Sequence, residues 1–314
     1  MRQRADGYEM IAGLIKKTAA DFGLVSITAA DNLDDVRLTA FSWTNTPGAL
    51  CLAANKKYYQ QACRNENVAA IVAPPAAVLG IGHSKPEVIV DKASEFFYFI
   101  HNMALHKIAG LPDNFIKHRI AASASIAPTA IIGEHVDIGE NVCIDHGCIV
   151  LDNTVIGDDT AIGPKCVLGV EGFFSKYVKG RKIHLQHYGG VRIGRNCKFH
   201  SDITVSRSAN YAEYTEIGDN VHIGHKSIIG HDCKISQGTD ISAGVLISGR
   251  VKIESGCWIG ASASISNACK VGIGASVRIG AVVVSDVPAG AEVSGNFAID
   301  HRNNLIRYLK ERSR

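Results

Sequence analysis

The sequence lacks the features that mark several common classes of protein. Nine cysteines are present, but no two form a CxxC pair, and cytoplasmic thiols are normally reduced. No apolar run reaches the roughly 18 residues that are needed to cross a bilayer. The N-terminal stretch MRQRADGYEMIAGLIKK lacks the apolar core and the small-residue cleavage site of a secretory signal. We therefore expect a cytoplasmic protein with no membrane span.

A strong excess of charge is also missing. The chain has 314 residues, of which 20% are charged, and its formal net charge is +3. That charge is too small and too dispersed to indicate nucleic-acid binding. Hydrophobic residues make up 46% of the chain, as expected for a soluble globular protein of one or two domains.

What the sequence does contain is a repeat of six residues. A large apolar residue, almost always aliphatic, recurs at every sixth position over 120–168 and again over 193–283, where Tyr211 is out of character. A period of six matches neither a helix nor a strand that continues unbroken. It fits short strands joined by tight corners, with one aliphatic side chain pointing inward on each face. Because the two series are out of phase, we predict that residues 169–192 form an excursion from the repeat.

A second inward slot lies two residues before each large aliphatic residue. Small or β-branched residues fill this slot, and cysteine residues recur there. We interpret these thiols as compact apolar groups of a narrow interior. Glycine follows many of the aliphatic positions, which suits corners where the backbone bends. The cysteines in the slot are Cys148, Cys166, Cys197, Cys233, Cys257 and Cys269.

The pattern resembles the hexapeptide repeat of left-handed parallel β-helix proteins, in which three hexads form one triangular coil and residues 18 apart stack. The residues before the repeat mix strand-like and helical stretches, which indicates a small α/β domain. We predict this domain over 1–92, a connecting helix and linker over 93–118, the β-helix over 119–287, and a tail with a short helix over 288–314. The fold class is therefore mainly β.

The sequence IIGHDCKIS places two polar residues where the repeat requires none. His231 follows a corner glycine, so its imidazole should face outward, and Gly249 should lie one coil above it. Acyl transfer to an amine needs a general base and a fixed N–H donor for the oxyanion. Asp232 or a nearby carbonyl could hold the imidazole in the required tautomer. The alternative is an ordinary surface histidine.

A metal site is a second possibility for this region. His222, His225 and His231 resemble the histidines of hexapeptide-repeat carbonic anhydrases, in which neighbouring chains share a metal. Among the positions one coil above them, Asp240 alone carries a possible ligand, and a surface hydrogen bond explains it equally well. We therefore expect no metal here, and a metal-dependent lyase remains the more distant reading.

Three separate segments resemble one enzyme family over nearly the whole chain. LAANKKYY, LGVEGFF followed by KGRKIHLQHYGGVRIG, and IGHDCKIS followed by ISAGVLISGRVKI resemble the UDP-3-O-(3-hydroxyacyl)glucosamine N-acyltransferases of lipid A synthesis. The resemblance implies that His231 is the catalytic base and that the Gly249 N–H contacts the thioester carbonyl. It also implies that Asn55 and Tyr58 bind uracil, that the domain over 1–92 is a uridine-type nucleotide-binding domain, and that the protein is a homotrimer.

The sequence departs from the family pattern in four features, which concern the binding of uracil, the active site and the acyl donor. Leu52 stands where the family has a second uracil-stacking aromatic, and Ala268 and Gly224 replace a histidine and an aspartate of the active site. The C-terminal extension that helps to hold acyl carrier protein is short. The same coils also resemble acetyl-CoA-dependent N-acetyltransferases of nucleotide-linked amino sugars, in which an acidic residue such as Asp232 follows the base.

These observations predict an N-acyltransferase. It would move an acyl group from acyl-CoA or acyl carrier protein to the free amine of a UDP- or dTDP-linked amino sugar, in lipid A or O-antigen synthesis. The thioester is a co-substrate, and no permanently bound cofactor is expected. The alternatives are an acetyl-CoA-dependent N-acetyltransferase, a metal lyase of the carbonic anhydrase type, and a non-catalytic β-helix scaffold.

Overall fold

The N-terminal part of the protein is a five-stranded sheet with helices. The computed structural model describes residues 11–80, 83–104, 116–295 and 300–312. The sheet has the order β1-β5-β4-β3-β2, in which β1 is antiparallel to β5 and the other pairs are parallel. Its elements are α1 Ile11–Thr18, β1 Leu24–Ile27, β2 Leu38–Phe41, β3 Ala49–Leu52, α2 Lys56–Arg64, β4 Val68–Ala73, β5 Glu87–Val90 and α3 Ala93–Ala104, with 3-10 helices at Ala19–Phe22, Ala30–Asp35 and Pro75–Ala77.

The repeat region is a left-handed parallel β-helix with three faces, as the six-residue period predicted. Each face is a parallel sheet that takes one short strand from every coil. The strands up to residue 206 are β6 Arg119–Ile120, β7 Ser125–Ile126, β8 Ile131–Ile132, β9 Val136–Ile138, β10 Cys143–Ile144, β11 Ile149–Val150, β12 Thr154–Ile156, β13 Ala161–Ile162, β14 Val167–Val170, β15 Ser175–Val178, β16 Arg181–His184, β17 Gly190–Ile193, β18 Lys198–Phe199 and β19 Thr204–Ser206.

The remaining strands complete the β-helix beyond that point. The stacking continues past Pro288, because β32 pairs with β30. These strands are β20 Tyr214–Ile217, β21 His222–Ile223, β22 Ile228–Ile229, β23 Lys234–Ile235, β24 Asp240–Ile241, β25 Leu246–Ile247, β26 Lys252–Ile253, β27 Trp258–Ile259, β28 Ser264–Ile265, β29 Lys270–Val271, β30 Ser276–Val277, β31 Val282–Val283 and β32 Glu292–Val293. The helix α4, His301–Arg312, follows. None of the helices in the described part of the chain is long and apolar enough to cross a membrane.

The chain leaves the β-helix twice. The expected excursion contains an antiparallel hairpin formed by β15 and β16. A second, shorter excursion lies between β19 and β20, because Ile193 pairs with Ile217 and Val205 with Ile229, 24 residues apart instead of 18. Tyr211 therefore lies in a loop and occupies no strand position. Because six extra residues leave the phase of the repeat unchanged, the uncharacteristic Tyr211 was the one sign of this loop in the sequence.

The interior of the β-helix confirms the two inward slots. From Ile138 onward the large aliphatic residues are buried, whereas Ile120 in the first coil is 41% exposed and Ile126 and Ile132 are partly buried. The six cysteines of the second slot are at most 6% exposed. The corner glycines have a different role from the one we expected. Gly157 and Gly230 do not adopt a left-handed φ; a Cβ there would lie 2.7 and 2.6 Å from backbone atoms of the next coil. Left-handed corners are instead formed by residues such as Asn141 and Asp232.

The shorter excursion, the loop 207–213, joins the N-terminal sheet to the β-helix. Asn210 Oδ1 accepts a hydrogen bond from the backbone N–H of Phe41 at 2.9 Å. Glu213 Oε1 accepts hydrogen bonds from Thr44 Oγ1 at 2.5 Å and from the N–H of Asn45 at 2.8 Å. The end of β2 is thereby held beside the coils that carry His231.

Candidate active site

His231 faces outward from a corner of the β-helix and contacts the next coil. It follows β22, which pairs with β25 in a register that stacks residue 229 on residue 247. The side chain is 14% exposed, and its Nδ1 lies 2.6 Å from Asp232 Oδ2. A Cβ on Gly249 would lie 2.5 Å from His231 Nε2. The structure therefore brings the predicted imidazole and the predicted glycine together.

Asp232 is held in place by a left-handed backbone conformation and by four hydrogen bonds. Its φ of 58° is left-handed, and its N–H donates to Thr215 Oγ1 at 2.9 Å. Besides the bond to His231, the carboxylate accepts hydrogen bonds from Ser208 Oγ at 2.5 Å and from the N–H of Ala209 at 3.1 Å. Burial acts to raise the pKa of Asp232, but the hydrogen bonds from His231, Ser208 and Ala209 outweigh it and lower that pKa. The carboxylate is thus an ionised, fixed acceptor.

This arrangement determines which imidazole nitrogen can act as a base. A carboxylate only accepts hydrogen bonds, so Nδ1 of His231 carries the proton. The lone pair is then on Nε2, on the side of Gly249. The pair can therefore take a proton at Nε2 while Asp232 stabilises the imidazolium that forms.

Gly249 leaves room for the imidazole. Its φ is not left-handed, so the backbone does not require glycine. Ala243 and Ala261 occupy the same position of the repeat six residues before it and twelve residues after it, and both carry a side chain. The Gly249 N–H donates to no partner in the described part of the chain. Glycine is needed here because of the His231 ring, and its N–H remains available as a donor.

A cavity of about 600 Å³ opens beside His231 and Gly249, between the N-terminal sheet, the first excursion and the β-helix. Its wall is mostly apolar and rich in aromatic rings, and the described residues that line it include two cationic side chains and no carboxylate. The lining includes Phe41, Trp43, Leu52, Tyr58, Tyr98, Gly172, Phe173, Phe174, Lys176, Ile228, His231, Leu246, Gly249, Arg250 and Asn267.

The two residues predicted to bind a nucleotide lie at different places in this region. Tyr58 is half-buried and lines the cavity. Asn55 is exposed, does not line the cavity, and is the N-cap of α2, where its Oδ1 accepts a hydrogen bond from the N–H of Tyr58 at 3.1 Å. Asn55 therefore has a structural role that positions Tyr58, and a direct contact between Asn55 and a base stays a prediction.

Sequence reasoning missed Trp43 and Arg250. The Arg250 guanidinium carbon lies 3.8 Å from the centroid of the Trp43 ring, and its nitrogens lie 3.4 Å from Tyr58 Oη. Phe41 stacks on Trp43 at 4.8 Å between centroids. Nothing in the repeat marks Arg250, because corner positions tolerate many side chains. The rarity of tryptophan, with two in the chain, was the one available signal.

The first excursion also packs against His231. The ring of Phe174 stacks on the imidazole with 5.8 Å between centroids, and the ring of His187 meets it edge-on at 5.2 Å. By contrast, His222 pairs with Asp240 at 3.5 Å, and Nδ1 of His225 lies 2.9 Å from Ser201 Oγ. Within one chain, the three histidines that the metal-lyase hypothesis would use, His222, His225 and His231, thus have separate partners.

Comparison with known proteins identifies the repeat. A model of the bacterial transferase hexapeptide family (six repeats) matches residues 135–169 and 214–249. The second matched segment contains His231 and Asp232 and ends at Gly249. No curated protein matches the chain by sequence.

Several solved structures are similar in part. The UDP-N-acetylglucosamine acyltransferase of Francisella novicida is 28% identical with a TM-score of 0.48, over 60% of this chain and 71% of that chain. The Bacteroides fragilis enzyme is 22% identical with a TM-score of 0.41, over 54% and 69%. The Arabidopsis enzyme is 25% identical with a TM-score of 0.37, over 60% and 77%. At these TM-scores the similarities add nothing beyond the repeat. The β-helix of this protein carries the hexapeptide repeat of bacterial transferases.

Proposed function

We propose that the protein is an N-acyltransferase that acts on a nucleotide-linked amino sugar. The observation that carries the proposal is the contact between His231 and Gly249, which unites a base and a backbone N–H at the edge of a cavity. The imidazole of His231 carries its proton on Nδ1, which donates to Asp232, so Nε2 is available to the substrate. A non-catalytic scaffold leaves this arrangement without a purpose.

The proposed reaction uses these groups in sequence. The free amine of the sugar enters the cavity beside His231 and attacks the carbonyl carbon of an acyl thioester. His231 Nε2 takes a proton from the attacking amine, and the Gly249 N–H stabilises the oxyanion of the tetrahedral intermediate. When the C–S bond breaks, His231 returns its proton to the leaving thiol. The products are the amide and the free thiol of the donor.

The lining of the cavity supports a nucleotide diphosphate as the handle of the acceptor. Among the described residues that line it, the lysine and arginine side chains are Lys176 and Arg250, and both are cationic. Arginine and lysine bind phosphate oxygens through charge-assisted hydrogen bonds. The half-buried ring of Tyr58 offers a face for a base near Leu52. Donor and pathway remain predictions: acyl-CoA or acyl carrier protein, lipid A or O-antigen, and a homotrimer as the active assembly.

The proposal is tested with a matrix of substrates. We expect mass spectrometry to detect an acylated sugar in at least one reaction that pairs a UDP- or dTDP-linked amino sugar with acetyl-CoA or a 3-hydroxyacyl carrier protein. Acetylation alone would favour the N-acetyltransferase alternative. If no pair gives product, and calorimetry detects no nucleotide-sugar binding, the proposal is wrong and the scaffold reading gains support.

Ser208 provides a narrower prediction. Its side chain is completely buried and donates to Asp232, so Ser208→Ala removes one bond that favours the ionised carboxylate. The pKa of Asp232 should rise, and the acid limb of kcat/KM should move to higher pH. We also expect kcat to fall roughly tenfold, as for a lost hydrogen bond to a charged group.

The matched control is Ser227→Ala. Ser227 is equally buried, but its hydroxyl donates to the Ser242 carbonyl at 2.9 Å and does not contact Asp232. Identical kcat values and pH profiles for the two variants would show that Ser208 acts on stability alone.

A further inference from the structure

A group of three side chains beside the active site has no part in the proposed acyl transfer. Glu171 follows β14, and His184 and His187 lie where the first excursion returns to the β-helix. Each offers one ligand atom, and these atoms all lie within 4.8 Å of one another. His184 Nε2 is 3.0 Å from Glu171 Oε2, and the N–H of His187 donates to Glu171 Oε1 at 3.3 Å.

His187 is prepared to accept a ligand. It is 3% exposed, and its Nδ1 lies 2.9 Å from the Leu185 carbonyl oxygen. Because a carbonyl can only accept, Nδ1 carries the proton and Nε2 carries the lone pair. Nε2 is buried and has no hydrogen-bond partner among the described residues. A histidine that donates one N–H to a carbonyl and presents the other nitrogen is the usual arrangement of a metal ligand.

We propose that Glu171, His184 and His187 form a binding site for a divalent transition metal ion. Two imidazoles and one carboxylate suit zinc and cobalt, and leave a further coordination position for water. The side chains of Glu171 and His184 are 45% and 44% exposed, so an ion can enter from solvent while the buried His187 closes the other side. This inference goes beyond the proposed function, and it concerns other histidines than those considered from the sequence.

The position of the site indicates its consequence. Glu171 lies where the excursion leaves the β-helix, and His184 and His187 lie where it returns. An ion bound to all three would tie the two ends together. Phe173, Phe174 and Lys176 lie between these ends and line the cavity. Metal binding should therefore stabilise the wall that packs against His231.

The test uses cobalt on the full chain after treatment with chelator and removal of the chelator. We expect visible d–d absorption that saturates at roughly one ion per chain, together with a rise in Tm, because an ion that binds the folded state stabilises it. Glu171→Gln and His184→Ala change exposed ligands and should leave the fold intact. Each should weaken cobalt binding at least tenfold.

His222→Ala is the matched control. It removes an exposed histidine that also pairs with a carboxylate, Asp240, but belongs to no group of three possible ligands among the described residues. This variant should bind cobalt as the unmodified protein does. The proposal fails if the unmodified protein takes up no cobalt, or if His184→Ala binds it as tightly as His222→Ala does. Neither result depends on acyl transfer, so the outcome is separate from that of the proposed function.

Discussion

His231→Ala should reduce kcat about 10²- to 10⁴-fold on the acceptor identified by the substrate matrix. The variant removes the group that takes the proton from the amine and returns it to the thiol. This loss corresponds to about 3–5 kcal/mol of transition-state stabilisation. Nucleotide-sugar binding should change little, because the nucleobase and the phosphates of the acceptor are expected to contact Tyr58, Arg250 and Lys176. Steady-state kinetics combined with calorimetry separate the two effects.

His225→Ala is the control for this variant. His225 occupies the same position of the repeat six residues earlier, and its ring contacts Ser201 and His200. Its replacement removes a histidine from an equivalent corner without affecting the Asp232 pair. Near-normal kcat in His231→Ala, or an equal loss in both variants, would contradict the role of His231 as the base.

Gly249→Ala should lower kcat about a hundredfold while the fold persists. The new Cβ would lie 2.5 Å from Nε2 and 2.8 Å from Cε1 of His231. The ring must move by about 1 Å to relieve the contact, and a displacement of that size costs about 10²-fold in rate. Asp232, Phe174 and His187 surround the ring and limit how it can move. The variant retains the backbone N–H of residue 249, so any loss of kcat reports on the displaced imidazole and not on a missing oxyanion donor.

Ala261→Ser provides the comparison for Gly249→Ala. It adds one heavy atom at the same position of the repeat, away from His231, and should leave both kcat and urea unfolding close to those of the unmodified protein. Gly249→Ala should unfold at a similar urea concentration, since Ala243 and Ala261 show that this position accepts a side chain. Full activity in Gly249→Ala would show that the imidazole does not act from its observed position.

The juxtaposition of His231 and Gly249 was predictable because of where it lies along the chain. From Ile217 onward the coils have 18 residues without interruption up to β31, as the pairings of Ile217 with Ile235 and of Ile229 with Ile247 show. Within such a stretch, counting along the sequence is equivalent to measuring along the axis. The same count fails between Ile193 and Ile217, where a coil has 24 residues.

The neighbours of the pair could not be obtained by counting. Ser208 reaches Asp232 from a loop that leaves the phase of the repeat unchanged, and Arg250 reaches Trp43 from the opposite end of the chain. His187 follows a hairpin outside the repeat, so its contact with His231 cannot be inferred from a position in the repeat. Each contact depends on how irregular segments pack, and no local period describes that packing.

The sequence by itself determined the β-helix, its buried aliphatic and cysteine interior, and the stacking of residue 231 on residue 249. The physical reason is that each hexad must bury one large side chain, and this local requirement recurs so often that it is visible as a period along the sequence. The tertiary structure alone decided the wall of the cavity, the hydrogen bonds from Ser208 and Ala209 to Asp232, and the grouping of Glu171 with His184 and His187. Those features join segments that are distant in the chain, and their contacts depend on packing and on polar partners that meet only once the chain has folded.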